Sequence, residues 1–347
     1  MVARASAAYN APGGASGARM IVVTGGAGFI GSNLVAALEE AGAEELVVID
    51  RLGHDEKWRN IAKRELADIV PPERAQDWLD RHAGRIETIF HLGAISATTE
   101  RDADLIVREN FTFSLALWDW CARHGTRLVY ASSAATYGDG AEGFEDDGSI
   151  AGLARLRPLN AYGWSKLLFD RRVARLIAQG EHRPPQWAGL KFFNVYGPNE
   201  YHKGAMKSVV AHIHPRARAG EAARLFRSHR SDYEDGGQLR DFIWVGDCVE
   251  VMLWLWRHPD TSGLFNCGTG QARSFRDLAE SVYRALGRDP AIEYVDTPEE
   301  IRAKYQYFTQ AGMDRLRAAG FDRQFTTLER GVETYVAKFL EAEDPYR

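Results

Sequence analysis

The amino-acid sequence predicts an α/β fold, in which a doubly wound parallel sheet is followed by a smaller mixed α/β lobe at the C-terminal side. Three observations lead to this prediction: short apolar runs recur in the first half, helical patterns separate them, and a glycine-rich turn joins the first run to the first helix. Runs that are apolar at every position are typical of strands buried on both faces. Strands that alternate with helices form parallel sheets, because the crossover helices cover both faces.

The order of the elements follows the same alternation along the chain. The predicted strands of the first half are residues 21–23, 46–49, 88–90 and 128–130. The first helix has apolar residues at helical spacing and ends at Gly42, and a second helix is predicted near residues 101–124. In the second half, a helix at residues 158–179 precedes a predicted strand at residues 190–195. An amphipathic helix at residues 328–339 closes the chain.

Three segments are predicted from this pattern. Residues 1–19 form a flexible extension of small residues that lacks the apolar core of a secretory signal. Residues 20–190 form a dinucleotide-binding domain, and residues 191–347 form a substrate-binding lobe, some of whose strands and helices return to the first domain. We expect this lobe to cover the carboxyl edge of the sheet, where ligands bind in such folds.

Composition and charge exclude several classes of protein. The 347 residues carry a formal charge of −5, from 43 basic and 48 acidic residues, which does not favour nucleic acid or an anionic membrane as the partner. No apolar run approaches the roughly 18 residues that span a bilayer. The three cysteines, Cys121, Cys248 and Cys267, are far apart and form neither a disulfide framework nor a zinc pattern. We therefore expect no metal site and a reducing, cytoplasmic setting.

The sharpest motif is the glycine-rich segment 24–31, which follows the first strand and opens the first helix. Gly25 permits the tight turn, Gly28 lets the backbone approach a pyrophosphate, and Gly31 lets helix and strand pack closely. The free N–H groups and the dipole of the helix then face a phosphate. Asp50 ends the second strand 19 residues after Gly31, where an acid reaches the adenosine ribose. The segment therefore predicts a dinucleotide site.

The residues after Asp50 indicate which dinucleotide binds. Arg51 follows it directly and Lys57 lies in the same loop, so two cations could neutralise a ribose 2′-phosphate. The Arg51 guanidinium could also stack on the adenine. A solvated basic loop is the alternative interpretation, and such loops are common. We predict tightly bound NADP in preference to NAD.

Tyr162 and Lys166 carry the predicted acid–base chemistry. Residues at i and i+4 share one face of a helix, so Lys166 lies below the Tyr162 hydroxyl. The lysine, together with an oxidised nicotinamide, favours the phenolate and lowers a phenol pKa that is ordinarily about 10. A phenolate poised near neutral pH is a good general base for an alcohol proton. Ser132 and Ser133 stand at the end of a predicted strand, and one of them, Ser133 in preference to Ser132, is expected to hydrogen-bond the substrate oxygen.

Together these motifs resemble the extended short-chain dehydrogenase/reductase family of nucleotide-sugar enzymes, and the match covers nearly the whole chain after Met20. The resemblance implies a Rossmann fold, with residues 91–94 on the strand that passes under the cofactor and Asn110 as a helix-supporting residue. The further cofactor contacts that it implies are Phe29, Ile30, Leu92, Gly93, Ala94, Ser96, Val195 and Lys203. Sugar 4,6-dehydratases of this family carry an acidic pair after the serine. Residues 133–138 contain no acid, which disfavours dehydration.

Four stretches are similar to one branch of this family, the ADP-heptose 6-epimerases. They are residues 132–138, 162–166, 193–198 with 202–204, and 305–311, of which the last two are the most discriminating. This resemblance implies that the chain inverts C6 of the heptose in ADP-D-glycero-D-manno-heptose. The reaction would use transient oxidation by bound NADP⁺ and return of the hydride to the opposite face. It would supply a heptose precursor of the lipopolysaccharide core.

The same resemblance assigns the remaining site residues and an assembly. The substrate residues that it implies are Ser133, Asn194, Ala205, His212, Phe226, Arg240 and Tyr305. Lys203 becomes a second acid–base residue besides Tyr162. The chain departs from the branch at Ala205, where a serine is frequent, and in a longer loop at residues 227–238. A homo-oligomer is implied, either a pentamer or a multiple of it.

Two alternative functions differ in what they need from these residues. A UDP-hexose 4-epimerase would share the glycine turn and the Tyr162–Lys166 pair but would have no use for Lys203. A non-catalytic NADP-binding regulator would need neither Ser133 nor the Tyr162–Lys166 pair. Because all of these residues are present, the sequence favours the 6-epimerase.

Overall fold

A computed structural model describes residues 19–302 and 305–347 of the chain. The extension that the sequence predicts at residues 1–19 therefore lies, except for Arg19, outside the described residues. Within the described part of the chain, no helix combines the length and the apolar character needed to cross a membrane. The three cysteines are buried free thiols, in agreement with their spacing in the sequence.

Twelve strands are present among the described residues. In chain order they are β1 (Met20–Thr24), β2 (Glu45–Ile49), β3 (Asp68–Val70), β4 (Ile86–His91), β5 (Arg127–Ser133), β6 (Trp187–Phe192), β7 (Asn194–Tyr196), β8 (Ala223–Phe226), β9 (Leu239–Trp244), β10 (Gly263–Cys267), β11 (Ala272–Ser274) and β12 (Ile292–Val295). Seven of them form one parallel sheet in the order β10-β6-β5-β4-β1-β2-β3. The strand order reverses between β1 and β4, and a ligand crevice is expected at their carboxyl ends.

Helices occupy most of the connections between these strands. In chain order they are α1 (Phe29–Glu40), α2 (Ala75–His82), α3 (Ala103–Ile106), α4 (Phe113–His124), α5 (Ile150–Arg155), α6 (Ala161–Ala178), α7 (Val209–Arg218), α8 (Val245–Arg257), α9 (Phe275–Ala285), α10 (Glu299–Arg302), α11 (Asp314–Ala318) and α12 (Leu328–Tyr335). Local sequence explains several of their ends. The Asn160 side chain accepts the N–H of Gly163 at 2.8 Å and starts α6. Gly125 ends α4 with a φ of 65°.

Both faces of the large sheet are covered, which confirms the predicted doubly wound arrangement. Alternate residues of β1 point to opposite faces, so Ile21 lies in one core and Val22 in the other. Helices α1 and α8 pack on the first face, and α2, α4 and α6 pack on the second. Trp118 and Trp120 of α4 are fully buried in the second core. Each large apolar side chain buried in this way stabilises the fold by about 1.5–3 kcal/mol.

The second half of the chain adds two smaller sheets, β11-β9-β7 and β12-β8, and its junction with the large sheet differs from the prediction. The single strand predicted at residues 190–195 is two strands, because β6 ends at Phe192 in the large sheet and β7 starts at Asn194 in a second sheet of order β11-β9-β7. The apolar run is continuous, so hydropathy alone does not show this change of sheet. Strand β3 was missed because it is only three residues long and exposes Ile69.

Candidate active site

The glycine turn after β1 is packed so closely that larger residues have no room. Gly25 has a φ of +66°, and a Cβ there would lie 2.6 Å from the backbone nitrogen of Gly93. A Cβ on Gly31 would lie 2.1 Å from the carbonyl oxygen of Gly25. Helix α1 then begins at Phe29 without a side-chain cap, so the N–H groups of its first turn are left for a ligand. An anion such as a pyrophosphate fits this position.

A cavity of about 520 Å³ adjoins this turn. The predicted cofactor residues that line it are Gly25, Gly28, Phe29, Ile30, Gly31, Asp50, Lys57, Leu92, Gly93, Ala94, Ser96, Tyr162, Lys166, Val195 and Lys203. Asp50 accepts a hydrogen bond from the N–H of Ala27 at 3.0 Å, which fixes its carboxylate directly after β2. Two predicted cofactor residues, Arg51 and Asn110, lie outside the lining. The turn and the cavity together fit a dinucleotide whose adenosine lies at the Asp50 end.

Asn110 does not line the cavity itself, but it hydrogen-bonds to Ile95, which does. It is buried in a π-helical segment, Val107–Thr112. Its side chain accepts the N–H of Ile95 at 2.8 Å and donates to the Ile95 carbonyl at 2.9 Å. It also donates to Oγ of Ser165 at 3.0 Å. Asn110 therefore ties the loop after β4, which lines the cavity, to helix α6.

Both predicted cations lie at the Asp50 end, and each has an acidic partner. Nε of Arg51 is 2.6 Å from Oε1 of Glu73, and Nη1 of Arg51 is 2.9 Å from Oε2 of Glu109. The hydrogen bond with Glu109 is the largest cause that raises the pKa of Arg51 above its ordinary value. Nζ of Lys57 donates to Oδ1 of Asp50 at 2.7 Å.

Tyr162 and Lys166 both line the cavity, one turn apart on α6. Nζ of Lys166 donates to the carbonyl of Ala131 at 2.8 Å, which holds the ammonium group beside β5. Burial lowers the pKa of Lys166 to about 8, although the Asp170 carboxylate acts in the opposite direction. Burial raises the pKa of the Tyr162 phenol, and hydrogen bonding with Ser133 lowers it in part. A phenolate near neutral pH therefore needs a further positive charge, such as that of an oxidised nicotinamide.

A second cavity of about 530 Å³ shares lining residues with the first. Four residues line both cavities: Ser133, Tyr162, Phe192 and Phe193. The predicted substrate residues that line the second cavity are Ser133, Asn194, Arg240 and Tyr305. Its lining also includes Thr98, Thr99 and Asn160, which the sequence does not predict as site residues, and Gln306 and Thr309 from the discriminating stretch 305–311. The two cavities thus meet at the predicted serine and tyrosine.

Arg240 brings a buried positive charge to the second cavity. It is only 7% exposed, and within the described residues no carboxylate forms an ion pair with it. Its guanidinium donates to the backbone carbonyls of Leu239 and Gln306 and lies 5.5 Å from the ring centre of Tyr305. The adjacent Asp241 is occupied elsewhere, since it accepts hydrogen bonds from Thr269, Gly270 and Ala311. A buried cation without an acidic partner is suited to an anionic ligand.

The remaining predicted site residues lie apart from the second cavity. Lys203 belongs to a 3₁₀ segment, Tyr201–Met206, and its Nζ is 5.4 Å from the ring centre of Phe29 on the wall of the first cavity. Burial lowers the pKa of Lys203, and Glu200 opposes that effect. Ala205 and His212 are both exposed, with Nε2 of His212 3.2 Å from the Ala205 carbonyl oxygen. Phe226 does not line the cavity, but it packs edge-on against Tyr305 with ring centres 5.9 Å apart.

Comparison with known proteins gives one family and a group of similar chains. Residues 21–268 match the model of the NAD dependent epimerase/dehydratase family. The chain is 51% identical over 330 residues to a protein of Nitratidesulfovibrio vulgaris strain DP4 named ADP-L-glycero-D-manno-heptose-6-epimerase, covering 94% of this chain and 100% of that relative. A protein of the same name from Fusobacterium nucleatum is 43% identical over 335 residues, with the same coverage of both chains.

Solved structures share the fold. The ADP-L-glycero-D-manno-heptose-6-epimerase of Helicobacter pylori matches with a TM-score of 0.74 at 27% identity, covering 92% of this chain and 96% of that chain. The UDP-glucose 4-epimerase of Thermus thermophilus, solved with NAD, matches with a TM-score of 0.70 at 25% identity, covering 93% and 99%. Backbone similarity is thus nearly equal for the two activities, whereas the sequence identity to relatives named as 6-epimerases reaches 51%.

Proposed function

The chain belongs to the NAD dependent epimerase/dehydratase family, and we propose that it inverts C6 of the heptose in ADP-D-glycero-D-manno-heptose to give ADP-L-glycero-D-manno-heptose. One observation carries the proposal: Ser133 and Tyr162 line both the dinucleotide cavity and the cavity that holds Arg240. A sugar carbon in the second cavity can therefore face the first cavity beside a phenol that takes its hydroxyl proton. Full-length relatives at 43–51% identity carry the name of this activity, which supports the proposal.

In this proposal, residues of the chain bind the cofactor and transfer protons to and from the substrate hydroxyl. When bound, the nicotinamide cofactor supplies an acceptor for the C6 hydride and a donor that gives it back, so the reaction is redox-neutral. The glycine turn and the first turn of α1 bind its pyrophosphate, and Asp50 binds its adenosine ribose. Ser133 orients the substrate hydroxyl, Tyr162 takes the proton, and Lys166 stabilises the phenolate.

For the cofactor, we propose NADP in preference to NAD. Lys57 lines the Asp50 end of the cavity, and Arg51 lies beside it. A 2′-phosphate there would replace Glu73 as a partner of Arg51. The side chains of Arg51 and Glu73 are 49% and 60% exposed, and such surface pairs contribute only about 0–1 kcal/mol. Losing this pair therefore costs little, and the guanidinium–phosphate contact that would take its place is also charge-assisted.

For the substrate, we propose that Arg240 binds the diphosphate. Its guanidinium is buried without an acidic partner among the described residues, and diphosphate oxygens match its fork of N–H donors. The ring of Tyr305, which lies beside Arg240 and packs edge-on against Phe226, offers an apolar surface for the adenine. Asn194 lies in the same cavity and can hydrogen-bond the sugar.

We propose Lys203 as the second base. Epimerisation places the C6 oxygen in two positions relative to one fixed nicotinamide, because the hydride must cross the same cofactor face twice. A single rigid base lies within hydrogen-bond reach of only one of these positions. Tyr162 serves one position, and Lys203, across the cavity on the 3₁₀ segment beside Phe29, serves the other. Burial lowers the pKa of Lys203, which favours the neutral amine that a base requires.

To test the proposal, the purified protein is incubated in D₂O without added cofactor in three separate samples. One contains ADP-D-glycero-D-manno-heptose, one contains UDP-galactose, and one contains no sugar. Proton NMR should show conversion of the ADP-heptose at C6 without deuterium at that carbon, because the same hydride leaves and returns. Conversion of UDP-galactose alone would instead establish the 4-epimerase. Deuterium at C6 would indicate deprotonation next to a carbonyl and contradict direct oxidation. Binding of NADP without turnover of either sugar would support the non-catalytic regulator.

We also propose that the protein works in the cytoplasm as a homo-oligomer. The free, buried thiols fit a reducing compartment. Large apolar side chains remain exposed on the single chain: Trp58, Ile69, Ile150, Trp164 and Met206. Sedimentation equilibrium should give a mass that is a multiple of the chain mass, with a pentamer as the expected unit. A monomer at micromolar concentration would contradict this proposal.

A further inference from the structure

Behind the catalytic pair lies an ion pair that lines neither cavity. Nζ of Lys191 is 2.9 Å from Oδ2 of Asp170, and the two side chains are 1% and 0% exposed. Lys191 lies in β6, and Asp170 lies on α6 one turn after Lys166 and two turns after Tyr162. Neither residue can contact a ligand directly, because neither belongs to a cavity wall.

The pair joins the segments that carry the catalytic side chains. Asp170 accepts hydrogen bonds from Oγ of Ser132 at 2.7 Å and from the hydroxyl of Tyr130 at 3.3 Å, both in β5. Lys191 donates to Oγ1 of Thr136 at 2.6 Å. Thr136 in turn donates to the carbonyl of Ser133 at 2.8 Å. The ion pair therefore connects four segments: helix α6, the end of β5, the turn after β5, and β6.

Packing alone does not account for charges at this place. Removing two charges from water costs several kcal/mol per ion, and apolar side chains of similar volume often give equal or greater stability. Asp170 lies one turn after Lys166 on the same face of α6, where a buried carboxylate favours the charged form of the Lys166 ammonium group. The other titratable groups that face Lys166 are Tyr162 on the same helix and neutral His91 on β4. Asp170 is the acidic member of this set.

We propose that Asp170, held in place by Lys191, is a positioning residue. Through Ser132 it fixes the part of β5 whose Ala131 carbonyl binds Lys166, and its carboxylate balances the charge of Lys166 during proton transfer. This inference rests on the proposed function of Tyr162 and Lys166. Without Asp170, the buried ammonium group of Lys166 loses its protonated form more readily. The phenol of Tyr162 then loses a neighbouring cation and ionises at higher pH. Ser132 donates a hydrogen bond to Asp170, and Thr136 accepts one from Lys191, so the same ion pair also holds Ser133, which lies between them in the chain.

The test uses the full-length protein with its cofactor bound and compares Asp170→Asn, Lys191→Met and the double variant Asp170→Asn/Lys191→Met. The double variant removes both charges and nearly preserves the volume, so it keeps the test valid if a single variant leaves an unpaired charge and fails to fold. Asp170→Glu retains the carboxylate and should restore part of the activity. The control is Glu39→Gln/Arg64→Met, which removes a partly buried ion pair outside both cavities.

We expect the double variant to keep its bound cofactor and its KM. Its kcat should fall by about tenfold, less than the roughly 10²–10⁴-fold loss on removing a general base itself. The acid limb of its pH–rate profile should move to higher pH. A merely structural role would lower the melting temperature and leave the pH profile unchanged, and that result would overturn the inference.

A second measurement separates this inference from the proposed function. Ultraviolet difference spectra follow the ionisation of Tyr162 without any sugar, with Tyr162→Phe as the blank. The inference requires this ionisation to shift to higher pH in the double variant and to stay in place in the control. An unshifted ionisation overturns the inference whatever the substrate is. Absence of ADP-heptose turnover by the wild-type protein, with a shifted ionisation, overturns the proposed function alone.

Discussion

Nζ of Lys57 lies 2.7 Å from Oδ1 of Asp50, at the end of the cavity where the adenosine of a dinucleotide is expected. This contact neutralises a carboxylate that would otherwise repel a 2′-phosphate. Arg51 is the second cation at this end, and its contact with the exposed Glu73 can be exchanged for a phosphate contact while Glu109 stays bound to it. Discrimination between NADP and NAD therefore depends on these two cations.

Replacing Arg51 with alanine should weaken NADP binding more than NAD binding. The lost charge-assisted hydrogen bond to the 2′-phosphate is worth roughly 1–3 kcal/mol. Calorimetric titration of stripped protein with each dinucleotide measures the difference. Arg85→Ala is a matched control. Arg85 is similarly exposed and ion-paired, but it directly precedes β4 and so lies at the amino ends of the sheet strands, away from the cavity. Equal losses for NADP and NAD would remove Arg51 from cofactor selection.

Tyr162→Phe and Lys203→Met should each abolish epimerisation while leaving the fold and the bound cofactor intact. Each variant loses one general base, which typically reduces the rate by about 10²–10⁴-fold. Single-turnover reduction of the bound cofactor, with each C6 epimer supplied separately, measures the two half-reactions. Lys207→Met, in the same loop, is the control and should behave as wild type. Near wild-type epimerisation by Lys203→Met would refute the two-base mechanism.

Arg240→Met should raise the KM for the nucleotide sugar by at least about tenfold with a small change in kcat. The reason is that a diphosphate contact is equally strong in the ground state and the transition state. Arg240→Lys keeps the charge but loses the forked donor geometry, so its KM should be intermediate. Cofactor content is the internal control, because Arg240 lines only the second cavity. An unchanged KM would exclude Arg240 from substrate binding.

Acid should destabilise the protein partly through His91. This ring is buried between Thr24 and Ser114, and burial lowers its pKa to about 3. Between about pH 6.5 and pH 3 the unfolded chain binds a proton that the folded chain does not, so stability falls as pH falls, by up to about 1.4 kcal/mol per pH unit. Urea unfolding across this range should show a shallower pH dependence for His91→Asn than for wild type. The exposed His54→Asn variant should keep the wild-type dependence.

Features set by local spacing were predictable from the sequence. The glycine turn, Asp50 and the Tyr162–Lys166 pair follow from a strand–turn–helix order and from i, i+4 geometry, and the structure brings them to one cavity. Arg240 was identified by resemblance, and only the structure shows that it lacks an acidic partner among the described residues while Asp241 is occupied. The sequence could indicate the residue types but not how their charges are paired.

Features set by tertiary contacts were not predictable. Thr98 and Asn160 meet the stretch 305–311 in the second cavity from distant parts of the chain, and no local pattern links these three segments. Asp170 and Lys191 belong to no motif that the sequence shows, and only their burial as an ion pair singles them out. A continuous apolar run likewise concealed the change of sheet after Phe192, because hydropathy reports burial and not the partner strand.

The late position of β10 has a consequence for synthesis of the chain. β6 ends at Phe192, whereas its neighbour β10 ends at Cys267, 75 residues later. At about 5–20 residues per second, a ribosome needs roughly 4–15 s to supply that neighbour. Until then one edge of β6 has no partner strand, and an unpaired edge is a template for pairing with other chains. A fragment of residues 20–192 would keep this edge open permanently, so it should associate with other chains more readily than the full-length protein does.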